Sequence, residues 1–213
     1  MDVFEIKDLR ALFERFAAVF AAEKDALIAL DGKVGDSDLG LTMAKGFAAA
    51  DEAVRASEAT TADAMCKQAG AAIAKAAPST MGTLMATGFL RGGAAVGEAV
   101  KLGTSDWAAF WTAFRDGVAH RGKAKVGDKT VLDVLHPVAE KLNADAEAEV
   151  QLNVALANAA VVARDALDAT KNMVAQHGKA AAFQEKTVGL QDAGSTVAVH
   201  LIEAMAHVAN ETA

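Results

Sequence analysis

Three carboxylates fall within eight residues at Asp31-x4-Asp36-x-Asp38, inside the segment Asp31-Gly32-Lys33-Val34-Gly35-Asp36-Ser37-Asp38-Leu39-Gly40. Aspartates in such a glycine-containing loop have two uses. They can form turns and cap the helix that follows, or they can converge on a cation. Carboxylates brought to about 5 Å repel by roughly 3 kcal/mol per pair at an effective dielectric of about 20, so convergence calls for a positive charge among them. The calcium EF-hand pattern fails. Counting Asp36 as its first ligand puts Leu41 where glycine is required and Phe47 where the bidentate glutamate belongs. Magnesium, which takes a few carboxylates and completes its shell with water and phosphate oxygens, fits the residue types better.

Other chemistry-bearing patterns are weak. Gly127-Asp128-Lys129-Thr130 ends like a phosphate-binding loop, but aspartate separates its glycine from its lysine and no strand precedes it. The histidines at 120, 136, 177, 200 and 207 show no metal-ligand spacing. The lone Cys66, in Asp63-Ala-Met-Cys66, reads as a small buried apolar residue, in keeping with a reducing compartment.

The elements that must position the aspartates are helical. Alanine supplies 52 of 213 residues, against two prolines and no tyrosine, which favours helix throughout and argues against an all-β or doubly wound fold. Leu9, Leu12, Phe13, Phe16, Val19 and Phe20 form one stripe of a helix expected to run to about Leu30, where the aspartate loop begins. Further helices are expected from about Leu41 to Arg55, Ala62 to Ala77 behind a Thr60 or Thr61 cap, and Ser79/Thr80 to Val96. A fifth carries Trp107, Phe110, Trp111 and Phe114 behind a Ser105 cap. The last three run from about Asp128 to Leu142, Val150 to Val174 and Ser195 to Val208. Eight helices with short links predict an all-α antiparallel barrel or bundle, one domain over residues 1–213. The longest irregular stretch, His177 to Gly194, has the length at which ordered loops are usually functional.

Charge excludes two classes of partner. A net charge of −7 repels nucleic acid and anionic membranes alike. Asp2, Glu5 and Asp8 stand where a signal peptide would be basic, and no apolar run reaches the ~18 residues of a membrane span, so a soluble, cytoplasmic protein is expected.

Four segments in order carry a family resemblance: "LDGKVGDSDLGLTMAKGF" from Leu30, "GTLMATGFLR" from Gly82, "RGKAKVGDKTVLDVLHPV" from Arg121 and "VGLQDAGST" from Val188. Together they resemble the nucleotide-binding L subunit of dihydroxyacetone kinase, from near the N-terminus to the last helix. That resemblance implies an eight-helix barrel with ATP or ADP at one end and two magnesium ions on the aspartate loop. By position it makes Asp31, Asp36 and Asp38 the metal ligands. It makes Leu39, Gly40, Leu41 and Thr42 phosphate-cradle positions, and Thr80 and Met81 nucleotide contacts. Gly122 and Val131 would line the adenine, Lys179 would be a basic contact, and Asp192, Ala193 and Gly194 the final nucleotide loop. Leu39 and Leu190 stand where the family usually has histidine. Met81 stands where the family often has serine, Pro78-Ser79 where it has two glycines, and Ala193 where it has proline, as in a divergent paralogue.

The activity implied is that of a kinase subunit. It would transfer a phosphoryl group, from ATP or through an ADP coenzyme, to a small ketose held on a separate K subunit. A phosphocarrier subunit is implied only if ADP is a fixed coenzyme, and a homodimer is a further expectation. The alternative is a non-catalytic nucleotide-sensing module that docks onto a regulator. A third reading is a helical interaction protein whose aspartates merely form turns.

Overall fold

The computed structural model describes residues 2–211. Among them nine α-helices follow one another: α1 (Ile6–Ala22), α2 (Lys24–Asp31), α3 (Leu39–Ala56), α4 (Ala62–Ala76), α5 (Thr80–Val96), α6 (Thr104–Gly122), α7 (Leu132–Glu147), α8 (Leu152–Ala169) and α9 (Ala193–Glu211). Each helix from α3 to α9 packs on the next, α1 packs on α3, and α9 returns to α1, so eight helices close a ring. The ninth, α2, leans on α3 outside that succession. An all-α barrel is thus what the composition and spacing predict.

The helices form where the apolar stripes lie. Leu9, Leu12, Phe13, Phe16 and Phe20 are all buried on α1, as are Trp107, Phe110, Trp111 and Phe114 on α6. Phe89 of α5 lies within ring contact of Phe13, Phe16, Phe47, Phe110 and Phe114, which makes it the hub of an aromatic interior. Small residues let these helices approach: a Cβ on Gly88 would lie 2.4 Å from the Phe114 ring. Thr61 and Ser79 cap α4 and α5 through their hydroxyls, accepting from Ala64 N and Gly82 N.

Four local features depart from the expected elements. The single helix expected up to Leu30 is broken at Glu23, with no glycine or proline to mark the break. The break lets α2 lie against the start of α3, so closely that a Cβ on Gly40 would sit 2.0 Å from the Lys24 carbonyl oxygen. Gly103, not Ser105, occupies the N-cap of α6, and its amide donates to Asp106 Oδ2 at 2.8 Å. α8 stops at Ala169 and gives way to a 3-10 turn (Thr170–Asn172), and a second 3-10 segment (Lys179–Thr187) lies inside the long loop before α9. Finally Phe4–Glu5 (β1) pairs antiparallel with Lys101–Leu102 (β2), a bridge too short to leave a period-two signal. No helix among the described residues is long and apolar enough to cross a membrane.

Candidate functional site

The loop between α2 and α3 brings the three aspartates together: one carboxylate oxygen from each of Asp31, Asp36 and Asp38 lies within 4.8 Å of the others. The local chain makes this convergence feasible. Asp31 ends α2, and its Oδ2 accepts from the amides of Asp38 at 3.1 Å and Leu39 at 3.4 Å, which folds the loop back over it. Gly35 has to be small, because a Cβ there would lie 2.2 Å from Asp31 Oδ1. Asp38 occupies the N-cap position of α3 but makes no side-chain capping bond, so its carboxylate is left for the cluster. The capping reading of these aspartates therefore fails for Asp38. The positive charge that convergence calls for comes from Lys179, whose ammonium pairs with Asp36 across 143 residues of sequence.

The cluster forms one wall of a cleft of about 1040 Å³. The first turns of α5 and α9 line the same cleft, with Ser79, Thr80 and Met81 on one and Asp192, Ala193 and Gly194 on the other. They meet closely, since a Cβ on Gly194 would lie 3.0 Å from Met81 Cε. Arg121 and Gly122 at the end of α6 and the loop residues His177, Gly178 and Lys179 complete the rim. Helix N-termini present unpaired amides and a positive dipole end, the features that hold phosphate. Among the described residues, the α3 amides of Gly40 and Leu41 precede the first hydrogen bond of the helix, from Thr42 N to Asp38 O, and no protein acceptor is seen for them.

Asp192 is the perturbed acid of the cleft. Burial pushes its carboxyl up to about 6, against the hydrogen bond that Oδ2 accepts from the Ser195 amide at 2.6 Å. Lys129, also in the wall, is buried and held below the ordinary lysine range by desolvation, which nearby Asp192 opposes. Cys66 lies away from this cleft in the helical core, where burial, then Asp63, pushes its thiol up to about 12, so it is no nucleophile at neutral pH.

Of the residues the sequence singles out, Asp31, Asp36, Asp38, Leu39, Thr80, Met81, Gly122, Lys179, Asp192, Ala193 and Gly194 all line the cleft. Four do not. Thr42 cannot offer its amide, which already donates to the Asp38 carbonyl in the first bond of α3. Leu41 points its side chain to solvent, 45% exposed, and Gly40 faces α2. Val131 is 2% exposed, behind Gly194, and occupies the N-cap position of α7 rather than lining the cavity. Conversely Arg121, Lys129 and His177 line the cleft without having been picked out. Their signal was present in the basic link from Arg121 and in the lysine of Gly127-Asp128-Lys129-Thr130.

The fold and site define an all-α barrel with an acidic cluster and two helix N-termini facing one cleft. The chain belongs to the DAK2 domain family, whose model matches residues 33–207. It is 32% identical over 197 residues to the ADP-binding subunit DhaL of the PEP-dependent dihydroxyacetone kinase of Escherichia coli, a match covering 92% of this chain and 94% of that subunit. It is 33% identical over 186 residues to D-erythrulose kinase of Mycolicibacterium smegmatis, covering 86% of this chain and 32% of that longer enzyme. In fold it matches the dihydroxyacetone kinase of C. freundii solved with AMP-PNP and Mg2+, with a TM-score of 0.70 at 21% identity, covering 93% of this chain and 33% of that one. The likeness to DhaL and to these kinases is what the four sequence segments predict.

Proposed function

We propose that this chain is the nucleotide-binding subunit of a dihydroxyacetone-type kinase, acting as one domain in the cytoplasm and transferring a phosphoryl group to a small ketose held on a separate K-type subunit. The observation that carries the reading is the convergence of Asp31, Asp36 and Asp38 in one cleft with the N-termini of α5 and α9, in a member of this family. Those three aspartates would hold magnesium: they are hard oxygen donors, and magnesium prefers a few carboxylates with phosphate and water. Two such ions, as the family resemblance implies, would be shared among the three carboxylates, whose ligand oxygens lie within 4.8 Å of one another. Bound there, magnesium would neutralise phosphate charge and orient the transferred group.

The chain's own residues do the rest. Leu39 lines the cleft at the start of α3, and Thr80, Met81 and the turn Asp192-Ala193-Gly194 flank the nucleotide. Gly122 borders the base, and Lys179 and Arg121 supply positive charge for phosphate oxygens. Phosphoryl transfer needs positioning and charge neutralisation more than a protein nucleophile, so no general base is assigned in this subunit. No residue here is assigned to the ketose. The K-type subunit supplies that site, and a phosphocarrier joins only if ADP stays bound as a coenzyme.

Calorimetry with ADP in the presence of magnesium and of a chelator tests the reading, followed by a phosphotransfer assay with a K-type subunit and dihydroxyacetone. Magnesium-dependent ADP binding, no sugar phosphorylation by the chain alone and transfer once the K-type subunit is added are expected. Magnesium-independent binding would reject the metal assignment, and efficient phosphorylation by the chain alone would reject the two-subunit scheme. Nucleotide binding without transfer would favour the sensing module.

A further inference from the structure

The loop between α8 and α9 leaves the barrel at Met173, carries Lys179 out to the aspartate cluster and returns at Leu190. It has little hydrophobic anchorage of its own: Ala175 is its buried apolar residue, while Phe183 and Val188 are exposed. Its attachment comes instead from the dipeptide Asp128-Lys129 on the facing segment. The Lys129 ammonium has three protons. It donates to the Met173 carbonyl at 3.2 Å on the outgoing limb, and to the carbonyls of Thr187 and of Leu190, the latter at 2.7 Å, on the returning limb. Asp128 holds the outgoing limb a second time, accepting from the Gln176 amide at 3.0 Å through its carbonyl and pairing with His177 Nε2 at 2.9 Å through Oδ2. Inside the loop, Thr187 Oγ1 accepts from the Ala175 amide at 3.0 Å and so joins the two limbs.

A lysine that ends a motif resembling a phosphate loop would ordinarily be read as a phosphate ligand. Here all three of its protons are already used on main-chain carbonyls. We propose that Lys129 is a positioning residue: it fixes both limbs of the 173–190 loop so that Lys179 is presented to the aspartate cluster, and through Lys179 it sets the affinity for a magnesium-bound nucleoside diphosphate. This inference rests on the functional reading above and adds a residue to it. Burying an ammonium is costly unless its hydrogen bonds are satisfied, so the clamp holds only as a complete set of three.

The test is a double-mutant cycle between Lys129→Met and Lys179→Met, read by ADP calorimetry in saturating magnesium, with hydrogen exchange on the nucleotide-free proteins. Lys129→Met is expected to weaken ADP by on the order of 10-fold, about as much as Lys179→Met, because one charged contact to phosphate is lost in either case. The double variant should bind no more weakly than about the weaker single variant, since Lys129 acts through Lys179. Exchange at the Gln176 and Gly189 amides should quicken in Lys129→Met while the α9 amides keep their protection. ADP affinity equal to wild type, or losses that multiply in the double variant, would overturn the positioning role, and unaltered loop exchange would overturn the clamp. If Lys129→Met does not fold, as judged by circular dichroism, Lys129→Gln carries the same cycle with two donors retained. Absence of any magnesium-dependent ADP binding by the wild type would instead reject the functional reading, and the exchange data would still decide whether Lys129 holds the loop.

Discussion

The barrel interior and the cleft at its end are built from one chain on opposite principles. Between Phe13, Phe16, Phe89, Phe110 and Trp111 the interior leaves a cavity of only about 10 Å³, while the cleft holds about 1040 Å³. In the interior, rings fill the volume left by small residues, as Phe114 does over Gly88. At the cleft, space is left open and polar groups line it, with ionic contacts between distant segments: Lys179 to Asp36 and His177 to Asp128. The interior is closed by apolar packing, whereas the cleft is left open and lined by polar groups. The two regions should accordingly fail in different ways.

Stability should depend on the interior. Phe89→Ala removes the ring at the centre of five aromatic contacts and should cost about 3–5 kcal/mol in denaturant unfolding. A loss below about 1 kcal/mol would mean that the interior re-packs and that the contrast with the cleft is overstated. Binding should depend on the cleft. Asp36→Ala should weaken magnesium-dependent ADP binding by at least about 100-fold, given that even groups supporting a metal ligand are worth 10–100-fold. The same variant should change the stability of the ligand-free protein by less than about 1 kcal/mol, because the Lys179 pair it removes is solvent-exposed. Calorimetry and thermal melts on one preparation give both numbers, and an unchanged ADP affinity would remove Asp36 from the site.

A pH series crosses the boundary between the regions at Asp192. Its folded pKa of about 6 lies above that of an unfolded aspartate, so its contribution to stability is fully present below about pH 4 and is lost as pH rises through 6. Asp192→Asn should remove that dependence, worth on the order of 3 kcal/mol between the two limits. Urea unfolding at pH 4, 5, 6 and 7 is the check, and parallel wild-type and variant profiles would show that Asp192 titrates normally. The smallest effect concerns Leu39, which is 6% exposed and belongs to both regions, packing in the core and lining the cleft. Leu39→His should add one polar contact to nucleotide and tighten ADP about two- to tenfold, with slower release in stopped-flow. Stoichiometric ADP carried by the wild type through extensive dialysis would mean that Leu39 does not weaken retention, and would favour a coenzyme role with a phosphocarrier.

Helix content, the order of elements and the aspartate loop were legible in the sequence because each is a local property. Apolar spacing of 3.6 residues declares a buried helix face, and Asp31, Asp36 and Asp38 lie within one loop. Thr61 and Ser79 cap their helices as short-range chemistry directs. What the sequence could not decide is whatever depends on distant segments meeting. The break at Glu23 follows from α2 settling on α3, and nothing in the residues near 23 encodes it. Lys129 reads locally as a broken phosphate motif and becomes a clamp only because residues 44 to 61 positions away fold against it. Val131 carries a family position yet stays behind Gly194, since burial is settled by which helix start lies in front. Short-range periodicity and turn chemistry are written into neighbouring residues; the pairing of Lys179 with Asp36 joins segments 143 residues apart and exists only once the loop before α9 meets the loop before α3.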